Sequence, residues 1–151
     1  MELDDETREL FLAAFNNSPM YRHMQMEVIE AGEGRSKVTI RGRRELQNLY
    51  GILHGGAAAT IVDSACGIAV GSLLKPGEIC VTIDLRINYI ANVGEGTLTG
   101  EGHVVHRGGR TGVAQAEIRD QEGNLIAAGM STHLIYRPDE SGTAGVPPVQ
   151  D

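Results

Sequence analysis

The sequence has few large, rigid side chains from which to build a core. Its 151 residues include no Trp, two Phe and four Tyr, against 20 Gly. A chain of this length can bury one complete hydrophobic core but is too short for two ordinary domains. We therefore expect a single domain in which small residues do much of the packing.

Positive charge is also scarce, with 13 Lys and Arg against 20 Asp and Glu and a formal net charge of -7. Phosphate-backbone binding relies on a basic surface, so a nucleic-acid partner is not expected. No uninterrupted apolar run approaches the roughly 20 residues of a membrane-spanning helix, and residues 1–6 are acidic where a secretory signal would be basic. We expect a cytoplasmic protein with no membrane partner.

The pattern of cysteine and histidine gives no sign of a metal site. Cys66 and Cys80 lie in apolar stretches without metal-type spacing, which favours buried, reduced thiols. His103 and His106 are three residues apart on a predicted strand, where this spacing points side chains to opposite faces. A shared metal ion is therefore not expected.

Hydrophobic periodicity predicts two helices and six strands. Residues 4–15 predict a short leading helix that ends before Pro19. Residues 55–74 predict one long helix with apolar side chains on every face, ended by Pro76 and Gly77. The predicted strands are a hairpin over residues 24–31 and 36–40, a strictly alternating strand over 79–89 with one face in the core, and an antiparallel meander over 97–106, 110–119 and 125–136.

This order predicts an α+β fold in which a curved antiparallel sheet wraps around one long central helix. The expected domain covers residues 1–136 including the leading helix, and residues 137–151, with three Pro, predict a disordered tail. A helix that is apolar all round must be covered on more than one side. The sheet would cover one side, and a second copy of the molecule could cover the other.

Asp63 is the only charged residue between His54 and Lys75. Burying a lone carboxylate in an apolar helix costs several kcal/mol unless the group is partnered or protonated. Buried ionisable groups are frequent at active sites, which favours a functional carboxylate. The alternative is a structural carboxylate bonded to Ser64 or to a neighbouring strand.

Gly55 and Gly56 stand where this helix begins, and the first N–H groups of a helix have no intrahelical partner. Such donors, aided by the helix dipole, can polarise a carbonyl group. The alternatives are a flexible glycine turn and a local cap by His54. Gly55 and Asp63 are eight residues apart, about 12 Å along one helix, so a site using both would need two antiparallel helices in a homodimer.

The segment at residues 48–56 (NLYGILHGG), followed by Asp63, resembles the hotdog-fold thioesterases of the phenylacetic-acid-degradation (PaaI) type. The resemblance extends over residues 24–136. It implies a hotdog fold, a homodimer paired again into a tetramer, and hydrolysis of acyl-coenzyme A, which is a substrate and not a cofactor. By position, Asn48 and the Gly55 N–H would hold the thioester oxygen, and Asp63 would act as nucleophile or as general base on water.

The same resemblance implies supporting roles for further residues. His54 would position the glycine loop, with Gly56 beside the substrate, and Thr82 would lie near the attacking water. Because coenzyme A carries phosphates, its expected cationic contacts are Arg107, Arg110, Lys75 and Arg86, although each of these is more often a solvated surface charge. A non-catalytic acyl-coenzyme A sensor and a hydratase of related fold are the alternative functions.

Overall fold

The computed structural model describes residues 5–138, and these form the predicted helices and strands with two short helices in addition. In chain order they are α1 (Asp5–Asn16), α2 (Pro19–Met24), β1 (Met26–Gly32), β2 (Arg35–Gly42), a 3-10 helix (Arg44–Leu46), α3 (Gly55–Gly71), β3 (Ile79–Tyr89), β4 (Gly96–Arg107), β5 (Thr111–Asp120) and β6 (Leu125–Tyr136). The α+β class is confirmed. Residues 139–151 of the predicted tail lie outside the described residues.

Helix α2 is the longer of the two short helices that periodicity did not predict. Pro19 was expected only to break the leading helix, but it also begins a new one, since proline fits the first helical position. The helix has six residues and ends at Met24, and its C-cap Gln25 has a left-handed φ of 53°. It is too short for a periodic apolar pattern to show.

The six strands form one antiparallel sheet in the order β1-β2-β4-β5-β6-β3. The predicted hairpin β1–β2 and the meander β4–β5–β6 are both confirmed. Strand β3 pairs with β6 and not with its chain neighbour β4. As a result β3 forms one edge of the sheet in the described part of the chain, and its outer edge has no neighbouring strand.

Strand β3 departs from the prediction that one regular face lies in the core. A bulge between Thr82 and Asp84 shifts its register against β6 and changes the phase of the alternation. Leu85 and Ile87 pack on the core as predicted, but Ile83 is 58% exposed. Before the bulge, the polar side chain of Thr82 is the one that meets α3.

Helix α3 lies against the inner face of the sheet at very short range. The buried side chains of the helix include Ile61, Val62, Ala65 and Ile68. The facing strands carry glycine at the points of contact, and a Cβ added at Gly100 would lie 2.6 Å from Ile61 Cγ2. Because the sheet has no side chains at these points, the helix packs directly against its backbone. Large aromatic side chains are therefore not needed to fill the core.

In the single chain α3 is buried where it faces the sheet, and the predicted second surface that would cover the rest of the helix stays a prediction. Ala59, Thr60, Asp63 and Ser64 are only half-buried. The helix also ends at Gly71, with Ser72 as its C-cap, before the predicted end at residue 74. Among residues 5–138 no helix is long and apolar enough to cross a membrane.

Candidate active site

The start of α3 is organised by the side chain of His54. Its Nδ1 accepts a hydrogen bond of 2.9 Å from the Gly56 N–H, and its carbonyl accepts from the N–H groups of Ala57 and Ala58. This confirms the local cap that was one interpretation of His54. The Gly55 N–H, by contrast, has no hydrogen-bond partner in residues 5–138. It is therefore a donor at the positive end of a helix that remains available to a ligand.

Asn48 lies at the same end of α3. Its Oδ1 accepts from the N–H of Tyr50 at 2.9 Å and from that of Ile52 at 3.4 Å, which closes the loop that precedes the helix. Those bonds fix the orientation of the amide. The Nδ2 group finds no acceptor within the described range, so it is a second donor available to a carbonyl oxygen.

Asn48 and Gly55 both line a small cavity of about 190 Å³, whose other walls include Leu53, Val93 and Ile126. Tyr89 closes one side of it. The Tyr89 hydroxyl donates to the Gly55 carbonyl at 3.1 Å, and a Cβ added at Gly55 would lie 3.2 Å from the tyrosine ring. Sequence reasoning placed Tyr89 on the core face of β3 and missed this contact, because it depends on how the strand end meets the helix start.

Asp63 lies two turns further along α3, facing β3. The Thr82 hydroxyl donates a hydrogen bond of 2.8 Å to Asp63 Oδ1. The structure thus brings together two of the predicted site residues that are 19 positions apart in sequence. Asp63 is half-buried beside the edge strand β3, so its carboxylate is not sealed off from a ligand.

A buried polar chain continues behind Thr82. Its hydroxyl lies 3.4 Å from Nδ1 of His133, and Nε2 of His133 lies 2.7 Å from the Ser131 hydroxyl. His133 and Ser131 are 1% and 0% exposed. Burial lowers the pKa of His133, although the charge of Asp63 acts in the opposite direction. Sequence reasoning did not single out either residue, since nothing local reveals that β6 pairs with β3.

Cys66 of α3 lies near this polar chain, one turn beyond Asp63 on the same helix, and its side chain is fully buried. Burial raises the pKa of Cys66 to about 11. Both cysteines are free, and Cys66 is buried as predicted, whereas Cys80 is only half-buried.

The predicted site residues therefore form two clusters. Asn48, His54 and Gly55 lie at the start of α3, and Asp63 with Thr82 lies about 12 Å along the helix axis. A groove of about 790 Å³ is lined by Lys37, Glu101 and other residues mainly on β1, β2 and β4, and it contains neither cluster. The small cavity at the helix start is the more relevant one, because it contains the available donors.

Comparison with known proteins gives the family. The model of the thioesterase superfamily matches residues 50–127, more than half of the chain. The chain belongs to the thioesterase superfamily. The hotdog fold is thereby confirmed, and the family places the chain among thioester hydrolases.

Individual relatives of this thioesterase agree with that assignment. A protein of Saccharolobus solfataricus whose name suggests an esterase is 34% identical over 80% of this chain and 78% of its own length. The 1,4-dihydroxy-2-naphthoyl-CoA hydrolase of Escherichia coli is 27% identical over 82% of this chain and 91% of its own. The solved structure of a Haemophilus influenzae thioesterase superimposes with a TM-score of 0.79, covering 86% of this chain and 90% of that one at 23% identity, and shows the shared fold.

The four predicted cationic contacts of this thioesterase have different surroundings, although Lys75 and Arg107 are neighbours, since the Lys75 N–H and the Arg107 guanidinium both bind Glu78 Oε2. Arg107 is paired with Glu78 at 2.7 Å and is largely buried, and Arg86 lies 3.4 Å from Asp84 on the surface. Lys75 and Arg110 are exposed, and neither forms a side-chain ion pair with another described residue. Contact with coenzyme A remains a prediction for all four. Arg107 would have to leave Glu78 to make it.

Proposed function

We propose that this thioesterase hydrolyses acyl- or aryl-coenzyme A as a homodimer of the phenylacetic-acid-degradation type, with Asp63 of one chain facing Gly55 of the other. The observation that carries the proposal is the separation of two incomplete half-sites on one helix. The start of α3 offers donors without acceptors, and the middle of α3 offers a carboxylate held by Thr82. Each half supplies what the other lacks.

Two features of the single chain favour this dimer. Strand β3 is an 11-residue edge strand with unpaired backbone groups on its outer side, and such an edge is a template for pairing. Beside it, α3 has the half-covered face that carries Thr60 and Asp63. Antiparallel pairing of two β3 strands across a two-fold axis would bring these helix faces together, with the start of one helix near the middle of the other. A dimer of such dimers is the further assembly that the resemblance implies.

In the proposed reaction, the thioester oxygen accepts hydrogen bonds from the Gly55 N–H and from Asn48 Nδ2. These donors stabilise the negative charge that develops when the carbonyl carbon is attacked. Asp63 either removes a proton from the attacking water or attacks the carbon itself, after which water cleaves the resulting anhydride. The carbon–sulfur bond breaks, the sulfur leaves as the thiolate of coenzyme A, and the products are a free acid and coenzyme A.

The name of the Escherichia coli relative supports including aromatic acyl groups in the substrate class. The cavity beside Gly55, of about 190 Å³ and lined partly by Leu53, Val93 and Ile126, supports a mainly apolar acyl group. The cytoplasmic location and the absence of a cofactor remain predictions.

The test is a thiol-release assay against short, long and aromatic acyl-coenzyme A substrates. We expect turnover by the wild type and at least a hundredfold loss in Asp63→Asn, which keeps the shape of the side chain and removes its charge. The exposed carboxylate of Glu101 provides a matched control, and Glu101→Gln should turn over at the wild-type rate. Undiminished turnover in Asp63→Asn would refute the proposed role. A wild type that binds coenzyme A without releasing thiol would indicate the sensor instead.

A further inference from the structure

His133 is an unusual residue to find behind an active-site hydroxyl. It lies on β6 directly opposite Thr82 of β3 in the strand register, and its side chain points inward toward α3. A Cβ added at Gly67 of α3 would lie 3.4 Å from Cε1 of the imidazole, so the ring fits against the helix where there is no side chain. At 1% exposure it cannot touch a substrate.

The hydrogen-bonding capacities of the groups fix the direction of every bond in the chain. An ionised carboxylate only accepts, so the single proton of the Thr82 hydroxyl must point to Asp63. The Thr82 oxygen can then only accept from His133, which requires a proton on Nδ1. In the neutral ring Nε2 is then an acceptor, and it takes the proton of the Ser131 hydroxyl.

We propose that His133 is a positioning residue for thioester hydrolysis, whose Nδ1–H holds the Thr82 hydroxyl in the orientation that donates to Asp63. The inference rests on the proposed function of Asp63 and deepens it. Ser131 in turn fixes the tautomer of His133, so the carboxylate is oriented by a chain of neutral groups on β3 and β6. Loss of the Nδ1–H frees the Thr82 hydroxyl to rotate, and Asp63 then loses its orientation.

Two amide variants separate the two nitrogens of the ring. In His133→Asn the amide occupies the place of Nδ1 and keeps a donor toward Thr82, whereas in His133→Gln it reaches the place of Nε2 and keeps the contact with Ser131. We expect His133→Asn to retain kcat within about threefold, and His133→Gln to lose roughly tenfold in kcat with an unchanged KM, as for one lost hydrogen bond. The exposed His103 on β4 is the matched control, and His103→Gln should leave both constants unchanged.

If His133 acts through Thr82, a second result is expected that a purely structural role of His133 would not give. In a Thr82→Val background, His133→Gln should cause less than about twofold further loss, because the group it orients is already gone. A tenfold loss that persists in this background, or equal losses in His133→Asn and His133→Gln, would overturn the inference.

The tautomer can be measured without any turnover, by ¹⁵N NMR of the imidazole in the wild-type protein. We expect the Nδ1–H form, and an Nε2–H form would overturn the inference even if His133→Gln failed to fold. The two hypotheses fail differently. A wild type that shows the Nδ1–H form but releases no thiol overturns the proposed function, whereas an active enzyme with the Nε2–H form overturns only the positioning by His133.

Discussion

The proposed site across the dimer predicts that two inactive variants restore each other. Asp63→Asn removes the carboxylate from one half-site. Gly55→Pro removes the N–H from the other, and proline suits this position because it is the first residue of α3 and follows His54, whose φ of -64° and ψ of 136° are extended. Each variant alone should form dimers in which both sites are broken.

The size of the restoration follows from symmetry. If equal amounts of the two variants are unfolded together and refolded, about half of the dimers pair one chain of each kind. In such a dimer one site combines both substitutions and the other site has neither. The mixture should therefore recover about one quarter of the wild-type activity per chain, measured by thiol release. Refolding wild type alone gives the reference value.

A matched variant separates the lost N–H from crowding at Gly55. Both Gly55→Pro and Gly55→Ala add a Cβ that would lie 3.2 Å from the ring of Tyr89, but only alanine keeps the donor. We expect Gly55→Ala to retain far more kcat than Gly55→Pro. A refolded mixture of Asp63→Asn and Gly55→Pro that stays as inactive as either parent, although mixed dimers are demonstrated by mass spectrometry, would refute a site shared between chains.

Three further outcomes follow from single contacts. Thr82→Val should lower kcat roughly ten- to a hundredfold, because it removes a hydrogen bond to a charged group. Thr82→Ser keeps the hydroxyl and should retain the wild-type kcat. A Thr82→Val variant as fast as wild type would contradict the role of Thr82 in holding Asp63. Gly100→Ala should destabilise the fold by about 1–3 kcal/mol in urea unfolding, since its Cβ would lie 2.6 Å from Ile61 Cγ2, and an unchanged midpoint would refute this contact. Burial raises the pKa of Cys66 from 9.0 to about 11, so between these pH values the thiol loses its proton more readily in the unfolded chain than in the folded one. The free energy of unfolding should therefore fall as the pH rises from 9 to 11. Cys66→Ala should reduce this fall, as measured by thermal melting at a series of pH values.

The sequence was most informative where the pattern is local and long. The apolar run of α3 and the alternation of β3 predicted two elements that the structure confirms. A hydrophobic pattern that continues over 11 or more residues is long enough to distinguish a helix from a strand. The bulge of β3 was not predictable in this way. It depends on how the strand pairs with β6, and it is the reason that Ile83 is exposed.

The candidate site was likewise predictable only in part. Asp63 stands out because a charge is rare in such a helix, and Thr82 was found by its place in a family pattern. His133 and Ser131 gave no signal, since their contacts depend on the pairing of β6 with β3, which joins segments about 50 residues apart. Tyr89 was missed for a similar reason, as its contact with Gly55 joins the end of a strand to the start of a helix.

The glycines beneath α3 restrict where this enzyme can be re-engineered. At Gly100, Gly102 and Gly129 the sheet lies so close to the helix that there is no room for a side chain. A Cβ added at Gly129 would lie 2.7 Å from Val62. A helix seated this tightly cannot slide sideways to accommodate a larger substrate. Variation in acyl-group preference is therefore better introduced at Val93 or Ile126, whose side chains line the cavity at the helix start, than at any position along the buried side of the helix.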